Sequence, residues 1–458
     1  MNIGFDTIGN ATVIIYDKKP LLVTDPWITQ SAYFGSWRKS HTIPTEQMEA
    51  IKNSEYIWFS HGHPDHLNPD SLPLFREQKV LLPNHVGGRI KTDLENQGFS
   101  AEVLPDREWV QLSEKLRIMC ICDYFQDAII LIDINGRLII NTNDANDRGW
   151  GRFARKVAKP FKIKFLLALF GYGDADMINF HHETGLFMEP KAAKRNPVGE
   201  NIAAAAASWN ANYVIPFSSM HHYQRSDSVW ANKYLTNLED YSIGFKSKTC
   251  ELTPPFMRYD CEKDEFSSIN PPAEENAIYE PEHFGDNYND ELTAEDAEKV
   301  AYYFQRVKHL ETFMDFINFR VGGKDNHVAL AKKKFNRGLT FEVPRNSLMT
   351  AIEYKVFDDL LIGNFMKTTL HGKWSKKPLY PDFAPYVTRY ADNANAHTKE
   401  ELEQYFEEYR NRAGLDFALH RFENQAINMF RSRIEGGSKL FQAGKRLYWY
   451  FKKINSSF

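Results

Sequence analysis

Residues 59–70 read FSHGHPDHLNPD, directly behind the apolar run Tyr56-Ile57-Trp58-Phe59. Three histidines and an aspartate, His61, His63, Asp65 and His66, fall within six positions. A histidine on its own is more often a hydrogen-bonded surface or core residue than a ligand, but four such side chains at this spacing are a different signal. In an extended segment side chains alternate between faces, so His61, His63 and Asp65 project to one side, and a turn at Pro64 brings in His66. Neutral imidazole and carboxylate together suit zinc, iron or manganese, and crowding them without a cation is costly. The stretch therefore predicts a metal site at the end of a strand.

With 458 residues the chain is long enough for a large core and predicts two or three domains. A hydrophobic fraction of 43%, a charged fraction of 25% and a net charge of −4 are those of an ordinary soluble globular protein with no overall attraction to nucleic acid. The opening MNIGFDTIGNATVIIYD lacks a basic start followed by an apolar signal core, and no apolar run reaches the length of a membrane span. A cytoplasmic protein is expected. Four cysteines, at 120, 122, 250 and 261, are too few for a disulfide framework, and without Cys-x-His pairs they argue against an iron–sulfur cluster carried by this chain. Buried, inert thiols are expected.

The first half alternates β-rich runs (ATVIIYD, PLLVTDPW, KVLLP, LRIMCIC, AIILIDING, RLIINTND) with turn signals and helix-like stretches such as TEQMEAIKNS and KTDLENQG. Asn135-Gly136 in IDINGRL suits a tight two-residue hairpin. This half is α/β in character. Near 270 the composition shifts to SINPPAEENAIYEPEHFGDNYNDEL, a linker or surface excursion. A helix is expected from Thr293 as N-cap, with Asp296 three positions on and Val300, Phe304, Val307, Leu310, Met314 and Ile317 at helical spacing. Further on, RNSLMTAIEYKVFDDLLIGNFMKTTLHG mixes both periodicities, and TKEELEQYFEEYRNRAG reads as a capped helix ending at Gly414. The division expected is a first domain over 1–245, a linker and helical segment over 246–330, and a C-terminal mixed α/β or helical domain over 331–458. Within the last, LYWYF at 447–451 reads as core. Two basic stretches, 148–170 and the similar FRSRIEGGSKLFQAGKRLYWYFKK near the C-terminus, read as solvated faces, with contact to an anionic membrane surface or to a phosphorylated or lipid-linked substrate as the alternative.

A two-metal centre needs more than four ligands. Asp123 follows LRIMCIC, Asp144 follows RLIINTN and His221 follows NYVIPFSSM, each where a strand releases its chain into a loop, although each also suits a turn or cap.

SHGHPDH matches the His-x-His-x-Asp-His signature of the metallo-β-lactamase superfamily, and IGNATVIIYDKKPLLVTDPW resembles the opening strands of its ascorbate-phosphate lactonase-like branch, a resemblance covering about residues 1 to 245. It implies an αββα sandwich with a one- or two-metal site at the sheet edge. By motif order, His61 and His63 resemble ligands of the first metal, Asp65 and His66 ligands of the second, Asp144 the bridging carboxylate, and His221 the last ligand, with His222 as fallback. The chain departs from the pattern where the family has another histidine and this sequence offers Asp123. That substitution gives a harder, more oxygen-rich set and shifts the expected pair of divalent ions from zinc toward iron or manganese. The competing account is that Asp123 caps a turn and that His181 or His182 in NFHHETG completes a zinc site. INTNDAN resembles the CMP-N-acetylneuraminate hydroxylase-like relatives, whose Rieske domain this chain has no residues to build.

Three functions follow. One is metal-dependent hydrolysis of an ester, lactone, amide or phosphodiester, with Asp65 orienting the nucleophile. Another is a di-iron oxygenase acting on a sugar-nucleotide-like substrate with a separate electron donor. The third is a scaffold with a structural metal, which the intact signature disfavours. The expected partners are a small-molecule or a lipid- or nucleotide-linked substrate, with no nucleic acid.

Overall fold

A computed structural model describes residues 2–29, 31–146, 151–169, 177–194, 198–218, 220–331, 334–390, 394–434 and 438–455. Two sheets face each other. One runs, edge to edge, Glu265–Ser268, Met257–Asp260, Ile3–Ile8, Thr12–Asp17, Lys19–Thr24, Tyr56–Trp58, Lys79–Leu82, Ala101–Val103; the other runs Glu251–Leu252, Tyr213–Phe217, Ile163–Leu169, Arg137–Asn143, Ala128–Ile134, Leu116–Cys122, Trp109–Gln111.

The sandwich follows from strands that are apolar on both faces. In Thr12–Asp17, Val13 and Ile15 point inward and pack with Ile130, Ile132 and Phe165 of the opposing sheet. Ile14 and Tyr16 point outward onto Ala50 and Ile51 of the helix Thr45–Lys52. On the other sheet, Ile129 and Leu131 point outward into a cluster with Ile202 and Ala206 of the helix Val198–Trp209. Such two-faced strands must be covered on both sides, and the result is the helix–sheet–sheet–helix layering expected. The Asn135-Gly136 hairpin is also as expected. Its two residues have φ of 48° and 79°, the mirror-image turn that matches strand twist, and Ile134 pairs with Arg137.

The expected boundary at 245 falls inside the sandwich, because Glu251–Leu252, Met257–Asp260 and Glu265–Ser268 complete its two sheets. A further sheet takes Phe180–His182 from the first half and Lys367–Gly372, Arg337–Glu342, Phe316–Val321 and Lys324–Ala329 from the second. One core cluster runs from Met119 to Phe417, so the outer face of the sandwich and the C-terminal region share apolar packing.

The helix after Thr293 begins with the predicted capping box, Thr293 and Asp296 each accepting the other's backbone N–H, but it ends at Gln305. Ile317 lies instead in the strand Phe316–Val321, which pairs on both sides. Buried residues at 307, 310 and 314 kept helical spacing by chance, and sheet pairing overrode it. The mixed stretch at 345–372 resolves into the helices Arg345–Tyr354 and Phe357–Ile362, broken by Lys355 at φ 58°, and the strand Lys367–Gly372. The helix Lys399–Ala413 is capped by Thr398 and stops at Gly414.

The segment 269–292 is irregular and largely exposed, yet anchored. Asp286 is buried against Arg225 at 2.7 Å and accepts from both the backbone N–H and the hydroxyl of Ser347. All four cysteines are free and buried. LYWYF is a correction: Leu447, Tyr450 and Phe451 are exposed on the helix Lys439–Asn455 rather than packed in a core. Among the described residues no helix is long and apolar enough to cross a membrane.

Candidate metal centre

Tyr56–Trp58 lies between Lys19–Thr24 and Lys79–Leu82, parallel to both, so its C-terminal end opens at the sheet edge and Ser60 to His66 turn there. In the facing sheet Arg137–Asn143 and Tyr213–Phe217 run parallel through Ile163–Leu169. Leu116–Cys122 points the same way, two antiparallel steps across. The loops holding Asp123, Asp144 and His221 therefore leave from one edge, the usual place for sites in such sheets.

His61 and His66 are buried. The Nδ1 of His61 lies 2.8 Å from the Ser60 hydroxyl, and the Nε2 of His63 lies 3.0 Å from the Asp358 carboxylate. The Asp358 carboxylate places a proton on His63 Nε2, while the Ser60 hydroxyl satisfies His61 Nδ1 in either tautomer. The remaining nitrogens, His61 Nε2 and His63 Nδ1, face each other at 2.8 Å. So close an approach requires a shared proton or a cation between the two nitrogens. Asp144 Oδ2 is 3.8 Å from His61 Nε2 and 3.8 Å from His66 Nε2, and donor atoms of His61, His63 and Asp144 all lie within 4.8 Å of one another. The residues thus fit a metal ion by their donor chemistry and convergence.

His66 is aimed by Asp25, whose carboxylate sits 3.2 Å from Nδ1 while also accepting the Ser60 backbone N–H. That leaves Nε2 pointing at Asp65 at 3.4 Å, the carboxylate–imidazole orientation common behind metal ligands. Asp65 accepts from Asn10 Nδ2 at 2.9 Å and from the Tyr33 hydroxyl at 2.5 Å. Burial opposes its ionised form, but the neighbouring His66 and the Tyr33 hydrogen bond hold it well below the usual carboxylate range. Burial and the Asp65 charge push the Tyr33 hydroxyl well up, so it remains a donor. Burial disfavours a charge on all three histidines. It keeps His61 well below the ordinary value, whereas Asp358 raises His63, and Asp65 and Asp25 raise His66.

His221 starts the short strand His221–Tyr223, paired with Trp37–Lys39, and its ring stacks on Trp37 with centroids 3.4 Å apart. Both of its ring nitrogens are buried without a hydrogen-bond partner, and burial pushes its pKa down to about 3 despite the nearby Asp65. A neutral, orphaned imidazole is what a ligand position requires. His222 projects from the opposite face, and the groups acting on it are Arg38 and His41. Asn10 ties this element to Asp65 by accepting the Met220 N–H.

Asp123 is buried, and its Oδ1 caps the turn by accepting the N–H of Phe125 and of Asp127. That turn carries Asp127 inward, 3.8 Å from His61 Nδ1. Burial, with the like charges of Asp123 and Asp144, raises Asp127 well above the usual carboxylate value. His181 bonds Asn179 and the Gly185 carbonyl rather than any residue of the cluster.

Sequence reasoning missed Asp127, Asp25, Tyr33 and Asn10, and it missed Asp358 and Asp359, which group with His63 as a second set of converging donors. Asp127 and Asp25 had a signal, as acids just past strands in CDYFQD and VTDPW. Asp358 had none, being 295 residues from His63 in sequence.

No family model matches the chain. Cytidine monophosphate-N-acetylneuraminic acid hydroxylase of Sus scrofa is 30% identical over 151 residues, 31% of this chain and 34% of the relative. The enzymes of that name from Mus musculus and Asterias rubens are 29% and 26% identical, over 26% and 24% of their lengths. The match thus spans about a third or less of these relatives. Among solved structures, the metallo hydrolase Igni18 of Ignicoccus hospitalis is 14% identical, covering 58% of this chain and 99% of that one, at a TM-score of 0.36. An isothiocyanate hydrolase from Delia radicum gut bacteria covers 56% and 98%, at 14% identity and a TM-score of 0.38. CmlA, a diiron β-hydroxylase of Streptomyces venezuelae, covers 47% and 45%, at 13% identity and a TM-score of 0.31. By name these relatives and neighbours are hydrolases and hydroxylases, among them a metallo hydrolase and a diiron enzyme. The chain thus combines facing sheets layered between helices and a His-x-His-x-Asp-His turn at their edge with a similarity, over 151 residues, to the hydroxylases of CMP-N-acetylneuraminate.

Proposed function

We propose that the chain is a metal-dependent hydrolase of an ester, lactone, amide or phosphodiester, its divalent metal held by His61, His63, Asp65, His66, Asp144 and His221. The observation that carries this reading is the pair of ring nitrogens, His61 Nε2 and His63 Nδ1, converging at 2.8 Å with Asp144 beside them. When bound, the metal supplies Lewis acidity and lowers the pKa of a coordinated water. The protein's own residues do the rest. Ser60 and Asp358 turn the two rings inward, and Asp25 does so for His66. Asp65, kept ionised and clamped by Asn10 and Tyr33, would orient the attacking nucleophile.

The second reading, a di-iron oxygenase acting on a sugar-nucleotide-like substrate, is favoured by one specific feature. Asp127 faces Nδ1 of His61 and Asp144 faces its Nε2, with Asp123 close enough to act on Asp127, and such a carboxylate-rich surround suits iron or manganese better than tetrahedral zinc. With four buried, free cysteines in this chain, electrons would come from a separate donor. Metal analysis of protein purified without added metal, followed by parallel assays of ester and phosphodiester hydrolysis and of reductant-dependent oxygen uptake, tests the proposal. Bound iron, manganese or zinc with hydrolysis and no oxygen uptake is expected; iron with reductant-coupled oxygen uptake and no hydrolysis overturns this in favour of the oxygenase, and absence of any metal overturns both.

A further inference from the structure

The two basic stretches that the metal centre does not use lie against common neighbours in the fold. Arg152 on the helix Gly151–Ala158 pairs with Asp416 of the helix Leu415–Arg433 at 3.2 Å. Arg155 lies 5.3 Å over the ring of Trp209, at the end of the helix Val198–Trp209, which packs against Lys439–Asn455. Leu415–Arg433 and Lys439–Asn455 form an antiparallel hairpin. Phe430 stacks on Phe441 with centroids 5.7 Å apart, Lys452 pairs with Glu423 at 3.3 Å, and Gly444 lies so close to the Phe430 ring that a Cβ there would approach to 2.5 Å.

Along the first helix Leu415, Phe422 and Met429 recur every seven residues, each more than half exposed; along the second Leu440, Leu447 and Phe451 are equally exposed. In an antiparallel pair of right-handed helices, the residue just before a seam residue lies on the same side of the pair in both helices. Phe422, Met429, Leu440 and Phe451 immediately precede the seam residues Glu423, Phe430, Phe441 and Lys452. The two stripes therefore form one continuous apolar face, larger than scattered surface leucines account for.

We propose that this face docks on an anionic membrane surface. Residues 415–455 carry five more lysines and arginines than acids, in a chain whose net charge is −4. Asp416 and Glu423 are already paired with Arg152 and Lys452, so the charge left at the rim is positive. Apolar side chains flanked by lysine and arginine, with Tyr450 exposed beside them, are the pattern of a helix lying in the lipid headgroup region. A second copy of this chain is the poorer occupant. A twofold seam sets the same rim against itself, and a rim of one sign then repels its copy.

Sedimentation of the full chain with vesicles of phosphatidylcholine alone, and of phosphatidylcholine with about one third phosphatidylglycerol, tests the proposal. Binding to the anionic vesicles at low salt, released at high salt, is expected. Lys439→Ala with Arg446→Ala should weaken it about 25-fold, at about 1 kcal/mol or fivefold per charge. Leu447→Ser with Phe451→Ser should abolish pelleting while leaving metal content and far-ultraviolet circular dichroism unchanged. No binding, equal binding to neutral vesicles, or undiminished binding of the charge variant overturns the proposal. So does a lipid-free dimer in sedimentation velocity that the Leu447 and Phe451 changes dissolve, which would assign the face to a second copy.

Discussion

His66 and His63 stand three positions apart, and different regions of the molecule aim their rings. His66 is held by Asp25, which leaves the end of a neighbouring strand in the same sheet; His63 is held by Asp358, from the helix Phe357–Ile362 in the C-terminal region. Both contacts are carboxylate to imidazole, and both leave the other ring nitrogen facing the centre. The first is made as soon as the sandwich forms. The second exists only when the C-terminal region has packed against the sandwich, so one half of the centre is intrinsic to the fold and the other is conditional on docking. Metal affinity and attachment of the C-terminal region should therefore be linked.

His63→Ala removes the residue on which both regions converge, and the protein should purify without metal or turnover while keeping its circular dichroism; full metal occupancy would remove His63 from the centre. Next in size is Arg225→Ala. Its guanidinium bonds Asp286, Asp227 and the Phe34 carbonyl and stacks 3.9 Å over Phe365, while Asp286 also bonds Ser347. Stranding Asp286 as a buried, uncompensated charge should cost about 3 to 5 kcal/mol in urea unfolding. A loss under 1 kcal/mol would mean that 269–292 only tethers two independent halves. Asp358→Ala should weaken metal binding about 10- to 100-fold without shifting the unfolding midpoint by a comparable amount, since outer partners of ligating histidines carry that much. Unchanged affinity would make the sandwich sufficient by itself. The smallest effect is the contrast between two carboxylates of one turn. Asp123→Asn keeps an oxygen to cap Phe125 and Asp127 and should leave metal content near normal, whereas Asp127→Asn replaces the carboxyl group facing His61 Nδ1 and should lower it. The reverse order would restore Asp123 as the ligand.

How far the chain's own letters reach can be judged from particular residues. Thr293 with Asp296 announced a helix start because a capping box is local, and Asn135-Gly136 announced a hairpin because both residues tolerate positive φ. The end of that same helix was not legible. Leu310, Met314 and Ile317 are apolar at helical spacing, yet Ile317 sits in a paired strand, and only the neighbouring strands decide that. LYWYF looked like core because large apolar side chains are usually buried, but on a two-helix hairpin at the edge of the molecule one side has nothing to pack against.

By itself the sequence determined the two-faced strands, and through them the layered sandwich, together with the turn at 60–66, where histidine and aspartate alternate over a few residues. Those properties rest on periodicity and nearest neighbours, which order along a chain contains. Only the tertiary structure decided that Asp127 comes beside His61, that the His221 ring lies near Asp65, and that Asp358 reaches His63 across 295 residues. A contact between distant segments depends on how whole sheets and helices stack, and no short-range pattern carries that information.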